Sequence, residues 1–255
     1  MEEFVLMSDL LTWPRAMKGV GLSLTPQQQL ACLLRITASE GWTENLGGHI
    51  TVMQDGTDNF WANPWGIWWE EVSASDIMVV DGDGNVVDGR WDVTPAINIH
   101  TEIHRRRADA KVVVHNHPYY ATLLGVLGEA PRMLHQNFVA FADDIAIVDE
   151  YSGVVNSIEE GEVFAEQVGN ASAVLLRNHG AVIVAPTIEE AAWKSALFER
   201  MCRMTYEAII SERPARELDA SGLGAVKVQL HQNCPQSYWD GACRRLIAAE
   251  PDVLA

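Results

Sequence analysis

The spacing of apolar residues alternates between two periods along this chain, and each change of period marks an element. Thr25-Pro26-Gln27-Gln28 opens a helix, with Thr25 as N-cap, Pro26 at the first helical position and Gln28 three residues after the cap. Leu30, Leu33, Leu34 and Thr37 then share one face, predicted to lie in the core, and Gly41 ends the helix. The other period governs Val112-Val113-Val114-His115-Asn116-His117-Pro118. Three β-branched residues enforce an extended backbone there. Alternate side chains of a strand share a face, so His115 and His117 point one way and Asn116 the other. A second segment, Val174-Leu175-Leu176-Arg177-Asn178-His179-Gly180, repeats the layout: an apolar strand, a histidine, and a glycine that permits a close turn.

The same reading continues along the chain. Strands are predicted at Ile50–Val52, Asp76–Asp81, Ile145–Val148, Ser172–Leu176 and Ala181–Ala185, with Val86-Val87 closing a hairpin over Gly82-Asp83-Gly84-Asn85. Helices are predicted at 95–107, Tyr119–Leu127 ended by Gly128, Ile158–Val168, Thr187 to about residue 211, and a last short one at Tyr238–Ala249. Segment 129–143 reads as irregular. The chain divides into a lead-in at 1–24, a domain at 25–211 and an arm with its short helix at 212–255. Hairpin-linked strands outnumber those of a βαβ repeat. The predicted fold class is therefore α/β of the α+β type, an antiparallel sheet with helices packed on it.

Composition narrows the function classes. At 255 residues the chain can bury a sizeable core. A net charge of −17 leaves no basic footprint for nucleic acid and disfavours an anionic membrane surface. Arg105-Arg106-Arg107 is explained by a helix end. Cys32, Cys202, Cys234 and Cys243 are scattered without a disulfide framework, and Glu2 and Glu3 stand where a signal peptide is basic. No stretch reaches the roughly 18 apolar residues of a membrane span. The setting read from this is reducing and cytoplasmic.

The chemistry lies in the histidines. A lone histidine at a strand end is more often a hydrogen-bonded structural residue than a ligand. Two on one strand face, with a third after a matching strand, point to a divalent metal held by His115, His117 and His179, with a fourth position for water or substrate. Asn45-Leu46-Gly47-Gly48-His49 is a glycine-rich turn whose N–H groups could cradle an anion, and it serves equally as a tight turn. Gly48 and His49 are therefore candidate substrate contacts. His100 and His104 share a helix face; the pair could bind a metal by itself, but packing beneath the strand of His115 and His117, with His100 nearest the site, is the better reading. Six of the nine tryptophans fall from Trp42 to Trp91. Those on the loop Asn63-Pro64-Trp65-Gly66-Ile67-Trp68-Trp69 cover the core, meet a neighbouring subunit or wall an apolar pocket.

Together, Gly47-Gly48-His49-Ile50, Asn63-Pro64-Trp65-Gly66, Ala74-Ser75-Asp76, Ile99-His100 to Ile103-His104, Ala110 to His117 and Asn178-His179-Gly180 resemble the class II aldolase/adducin family over roughly residues 26–211. The resemblance implies a three-layer αβα domain around a mainly antiparallel sheet, and a tetramer with sites between subunits. It also implies a divalent cation, usually zinc with manganese or iron as alternatives, on His115, His117 and His179. This sequence departs from the family's sugar-phosphate aldolases. Ala96 stands where they carry a catalytic glutamate, Thr94-Pro95 replaces a phosphate-holding serine pair, and Trp65 fills a phosphate-loop position. Asn137 stands near the glutamate of the family's dehydratases. The metal triad is kept while the phosphate grip is lost.

A metal-dependent carbon–carbon lyase, an aldolase or decarboxylase on a non-phosphorylated and possibly aromatic hydroxy or oxo acid, fits these departures best. The alternatives are a non-haem iron oxygenase and a non-catalytic adducin-like interaction module. Candidates for proton transfer are His100, Tyr119 and His135. Candidates for substrate binding are Gly48, His49, Trp65, Gly66 and Asn137. The expected partners are a small molecule and further copies of the chain.

Overall fold

Helix α1 (Pro26–Ser39) begins as its sequence dictates. Thr25 Oγ1 accepts the Gln28 N–H at 3.3 Å and the Gln28 side chain accepts the Thr25 N–H at 3.0 Å. Such a reciprocal cap stabilises a helix by about 1 kcal/mol. The computed structural model describes residues 23–44, 46–149, 155 and 157–255; the lead-in read at 1–24 lies outside them except for its last two residues.

Eight strands follow: β1 (His49–Met53), β2 (Phe60–Ala62), β3 (Met78–Val80), β4 (Val86–Asp88), β5 (Val112–Asn116), β6 (Ile145–Val148), β7 (Ala173–Leu176) and β8 (Gly180–Ala185). They form one sheet in the order β4-β3-β2-β1-β5-β8-β7-β6. Every pairing is antiparallel except β6 with β7. The helices are α2 (Asn98–Arg106), α3 (Tyr119–Leu127), α4 (Ile158–Val168), α5 (Ile188–Ile210) and α6 (Gly224–Ala249).

The two-residue period of the strands builds the layers. Val112 and Val114 of β5, Ala173 and Leu175 of β7, and Ala181, Ile183 and Ala185 of β8 pack into a core with α1, α3, α5 and α6. Their alternates Val113, Val174, Leu176, Val182 and Val184 pack with Ile99 and Ile103 of α2 and Phe164, Ala165 and Val168 of α4. The result is the three-layer αβα architecture around a mainly antiparallel sheet.

Three elements differ from the pattern-based reading. β2 lies within the tryptophan-rich stretch and, at three residues, is too short to show a period. α2 starts at Asn98, because Pro95 sits in a turn closed by the Ile97 N–H on the Thr94 carbonyl at 3.2 Å. The last helix begins at Gly224, not Tyr238, and continues through Pro235. A proline inside a helix reads as a break because it lacks an N–H, but buried Trp239 and Cys243 hold this helix on the α1/α5 core. The C-terminal residues dock as well: the Arg35 guanidinium bonds Val72 O, Glu250 and Asp252, and Ser75 N–H donates to Ala255 O at 2.8 Å. No helix among the described residues is long and apolar enough to cross a membrane.

Candidate metal centre

Sheet order brings the two strand-then-histidine segments together, because β5 lies beside β8, the strand that His179 precedes. One ring nitrogen from each of His115, His117 and His179 lies within 4.8 Å of the others. Ring centroids are 5.3 Å apart for His115 and His117, and 4.9 Å from His179 to each of them. Asn178 has a left-handed φ of 56°, which turns the chain so that His179 faces this group. Glycine is required at two close approaches. A Cβ on Gly180 would lie 2.5 Å from Asn116 O and 2.7 Å from His117 Cδ2, and one on Gly48 would lie 2.2 Å from Asn116 Nδ2.

Two of the rings are anchored from behind. His115 Nδ1 donates to the Ala181 carbonyl at 3.0 Å, and His117 Nδ1 donates to the Glu44 carboxylate. In a neutral ring, such an anchor leaves Nε2 without a proton and facing away from the anchoring oxygen. His117 Nε2 is buried and has no hydrogen-bond partner. Burial, reinforced by neighbouring imidazoles, lowers His115 well below the usual imidazole range, and burial takes His179 to about 4. Neutral imidazoles are the form that binds metal. A buried nitrogen without a partner, the depressed His115 and His179 imidazoles, and a carbonyl or carboxylate behind His115 and His117 make the donor set that a divalent cation needs. The residues present therefore fit such an ion.

The remaining histidines of this face form a second group. His49 on β1 pairs in register with His115 on β5. Its ring lies 4.9 Å from that of His115 and 4.6 Å from that of His100. His49 Nδ1 and His100 Nε2 are 2.6 Å apart, Thr51 Oγ1 is 2.6 Å from His100 Nδ1 and 2.7 Å from His104 Nε2, and His104 Nδ1 lies 2.7 Å from Ala110 O. Burial pushes His49 and His100 well below the usual range and His104 to about 4. His100 thus packs under the site, reaching it through His49.

The other sequence-derived candidates spread outward. Gly48 sits at the turn into β1, its carbonyl accepting Trp69 Nε1–H at 3.2 Å. Tyr119, two residues after His117, is 68% exposed. Trp65 is 51% exposed on a turn where Gly66 has a φ of 86°, while Trp42 and Trp69 are buried in the core. His135 is exposed, and its Nδ1 accepts the Asn137 N–H at 3.2 Å. Asn137 lines a cavity of about 800 Å³ with Tyr120, Trp193, Glu199 and Tyr238, and that lining includes none of the triad.

Sequence reading missed Glu44, Thr51 and Glu199. Burial pushes Glu199 up to about 7, although it accepts the Tyr120 and Ala121 N–H groups at 2.8 and 3.0 Å. It thereby fixes the chain just beyond His117. No local motif marks these residues, since each acts on a histidine or backbone group far away in sequence.

Comparison with known proteins agrees with this architecture. The family described as Class II Aldolase and Adducin N-terminal domain matches residues 28–206. A Streptomyces roseochromogenus subsp. oscitans protein, named 4-hydroxy-3-prenylphenylpyruvate oxygenase/4-hydroxy-3-prenylbenzoate synthase, is 35% identical over 68% of this chain. The match spans 64% of that relative's length, short of two thirds. Decarboxylase NovR of Streptomyces niveus is 34% identical over 72% of this chain and 70% of its own. A solved aldolase II superfamily protein from Pseudomonas syringae shares the fold with a TM-score of 0.80 at 22% identity, over 93% of this chain and 99% of that one.

Proposed function

We propose a function from one premise: this chain belongs to the class II aldolase and adducin family. The proposed reaction is metal-dependent carbon–carbon cleavage of a non-phosphorylated hydroxy or oxo acid, with decarboxylation of an aromatic acid first and aldol cleavage second. The observation that carries the reading is the convergence of His115, His117 and His179 around a buried, unpartnered His117 Nε2. A divalent cation held there would polarise a carbonyl or enolate oxygen and stabilise the charge that develops as the carbon–carbon bond breaks. Zinc is the first choice, with manganese or iron as alternatives.

The chain's own residues do the rest. His49 stands beside His115 with its Nδ1 turned to His100, so its Nε2 takes the proton of the substrate hydroxyl. Tyr119 is the nearest exposed hydroxyl in sequence to the triad and returns a proton to carbon. His100 acts only through His49. Trp65 and Gly66 close over a flat apolar ring from the loop side. Ala96 presents only a methyl group and Thr94-Pro95 replaces the serine pair, so no carboxylate base or phosphate grip is available there; loss of carbon dioxide needs no base to start it, and a non-phosphorylated acid needs no such grip. Asn137 lines the outer cavity and His135 bonds to its own loop, so both would act on an extended substrate alone.

The name of the Streptomyces roseochromogenus relative supports an aromatic acid and that of the Streptomyces niveus relative supports decarboxylation, while the word oxygenase in the first also supports the second reading, an oxygenase for which we propose iron. One experiment separates the readings. Protein loaded with Zn(II) or Fe(II) is incubated with aromatic 3-oxo acids and 4-hydroxy-2-oxo acids, which can pass through an enolate, and with aromatic 2-oxo acids, with and without oxygen. Oxygen-independent release of carbon dioxide or an aldehyde supports the lyase. Turnover that needs both Fe(II) and oxygen replaces it with the oxygenase. A folded protein that neither binds metal nor turns over any acid leaves the interaction module. A cytoplasmic homotetramer with 25–211 as the catalytic unit completes the proposal, and light scattering tests its size.

A further inference from the structure

Behind the triad, four polar side chains form a line with no branch: His49, His100, Thr51 and His104. Pleat and helix period explain why they meet. His49 and Thr51 are two apart on β1 and so share the face that carries His115 on β5. His100 and His104 are four apart on α2 and lie over that face. All but half-buried His104 are essentially removed from solvent, so each hydrogen bond in the line must be made within the protein.

The far end of the line sets its direction. The Ala110 carbonyl can only accept, so His104 Nδ1 carries the proton in the 2.7 Å bond between them. A neutral His104 then has a bare Nε2, which takes the Thr51 hydroxyl hydrogen. Thr51 Oγ1, having given its hydrogen away, accepts from His100 Nδ1–H. His100 Nε2 is left bare and accepts from His49 Nδ1–H. We propose that Thr51 and His104 are positioning residues: through His100 they fix the tautomer of His49, keeping its proton on Nδ1 and its Nε2 bare beside the triad. The line decides which nitrogen bears the proton, not how many protons the ring holds. It extends the function proposed above, in which His49 takes the substrate proton, because only this tautomer presents an acceptor.

The test uses the full chain, nitrogen-15 labelled on histidine, with His49 assigned by comparison with His49→Gln. In the wild type the expected proton position is Nδ1 on His49, His100 and His104. Thr51→Val keeps the shape but removes the acceptor for His100 Nδ1–H. His104→Phe lets the Thr51 hydroxyl turn and donate to His100 Nδ1. In both variants the His49 proton is expected to move to Nε2, and kcat to fall about 100-fold, the scale of a lost general base, with metal content unchanged. Thr51→Ser, and His104→Gln, whose amide can donate to Ala110 O and accept from Thr51, are expected to restore Nδ1–H. A wild-type His49 protonated on Nε2 overturns the proposal. So does a folded Thr51→Val or His104→Phe protein that keeps Nδ1–H, or one that loses it without change in kcat. The spectra need no substrate, so failure to find any substrate counts against the proposed reaction while the tautomers still decide the line.

Discussion

Two groups of three histidines share one face of the sheet, and their hydrogen bonds set them apart. His49, His100 and His104 are strung together with Thr51 and end on a backbone carbonyl. His115 and His117 are each anchored at Nδ1 by an oxygen, which turns Nε2 inward, and the His117 Nε2 is left without a protein partner. Residue type is identical and burial is similar. What separates the structural His100 and His104 from the ligands here is that the protein has already used both of their ring nitrogens, whereas His49, like His115 and His117, is held at Nδ1 alone.

The largest effect that would break this contrast is expected at the triad. Elemental analysis after dialysis should find about one divalent ion per chain, consistent with a three-imidazole site. His115→Ala should lose it, and unchanged metal content would remove the triad from consideration. Next comes the anchor. Glu44→Gln should weaken metal affinity by roughly 10–100-fold with the fold intact, as loss of an outer-shell carboxylate does; equal affinity would mean that Glu44 does not orient His117.

The line that ends at His104 should show itself through pH rather than metal. His104 sits at about 4 in the fold against 6.5 for an ordinary histidine. Its pKa is lowered on folding, so its contribution is complete above pH 6.5 and is lost as pH falls towards 4. The slope is at most about 1.4 kcal/mol per pH unit for one such group. Urea unfolding of metal-free protein at pH 7, 6 and 5 should be less steep in His104→Gln than in the wild type. Parallel slopes would mean that His104 is not held neutral. The smallest stability effect is expected at Trp65→Ala. A half-exposed side chain should change stability by about 0.5 kcal/mol or less while weakening substrate affinity. If the melting temperature falls sharply and affinity does not change, Trp65 supports the fold instead of walling a pocket.

Much of this molecule was legible before any coordinates. The α1 cap, the end of α3 at Gly128, and the strands around His115 and His179 all follow from local rules, and Gly128 has the left-handed φ of 73° that such an end requires. The family resemblance added the layered architecture. The tryptophan-rich stretch was harder, because composition says nothing about direction: Trp69 turned into the core and Trp65 out to solvent. For Asn137 and His135, sequence analogy gives no position: Asn137 lines a cavity whose lining includes none of the triad, and His135 bonds to its own loop.

By itself the sequence determined periods, caps and the pairing of two similar strand ends, because pleat and helix geometry are fixed within a few residues. The tertiary structure alone decided that β1, β5 and β8 lie side by side, that Glu44 anchors His117 across 73 positions of chain, and that one carbonyl orders a line of imidazoles. Those contacts depend on how distant segments share buried space, where each polar atom must find a partner or be left for a ligand.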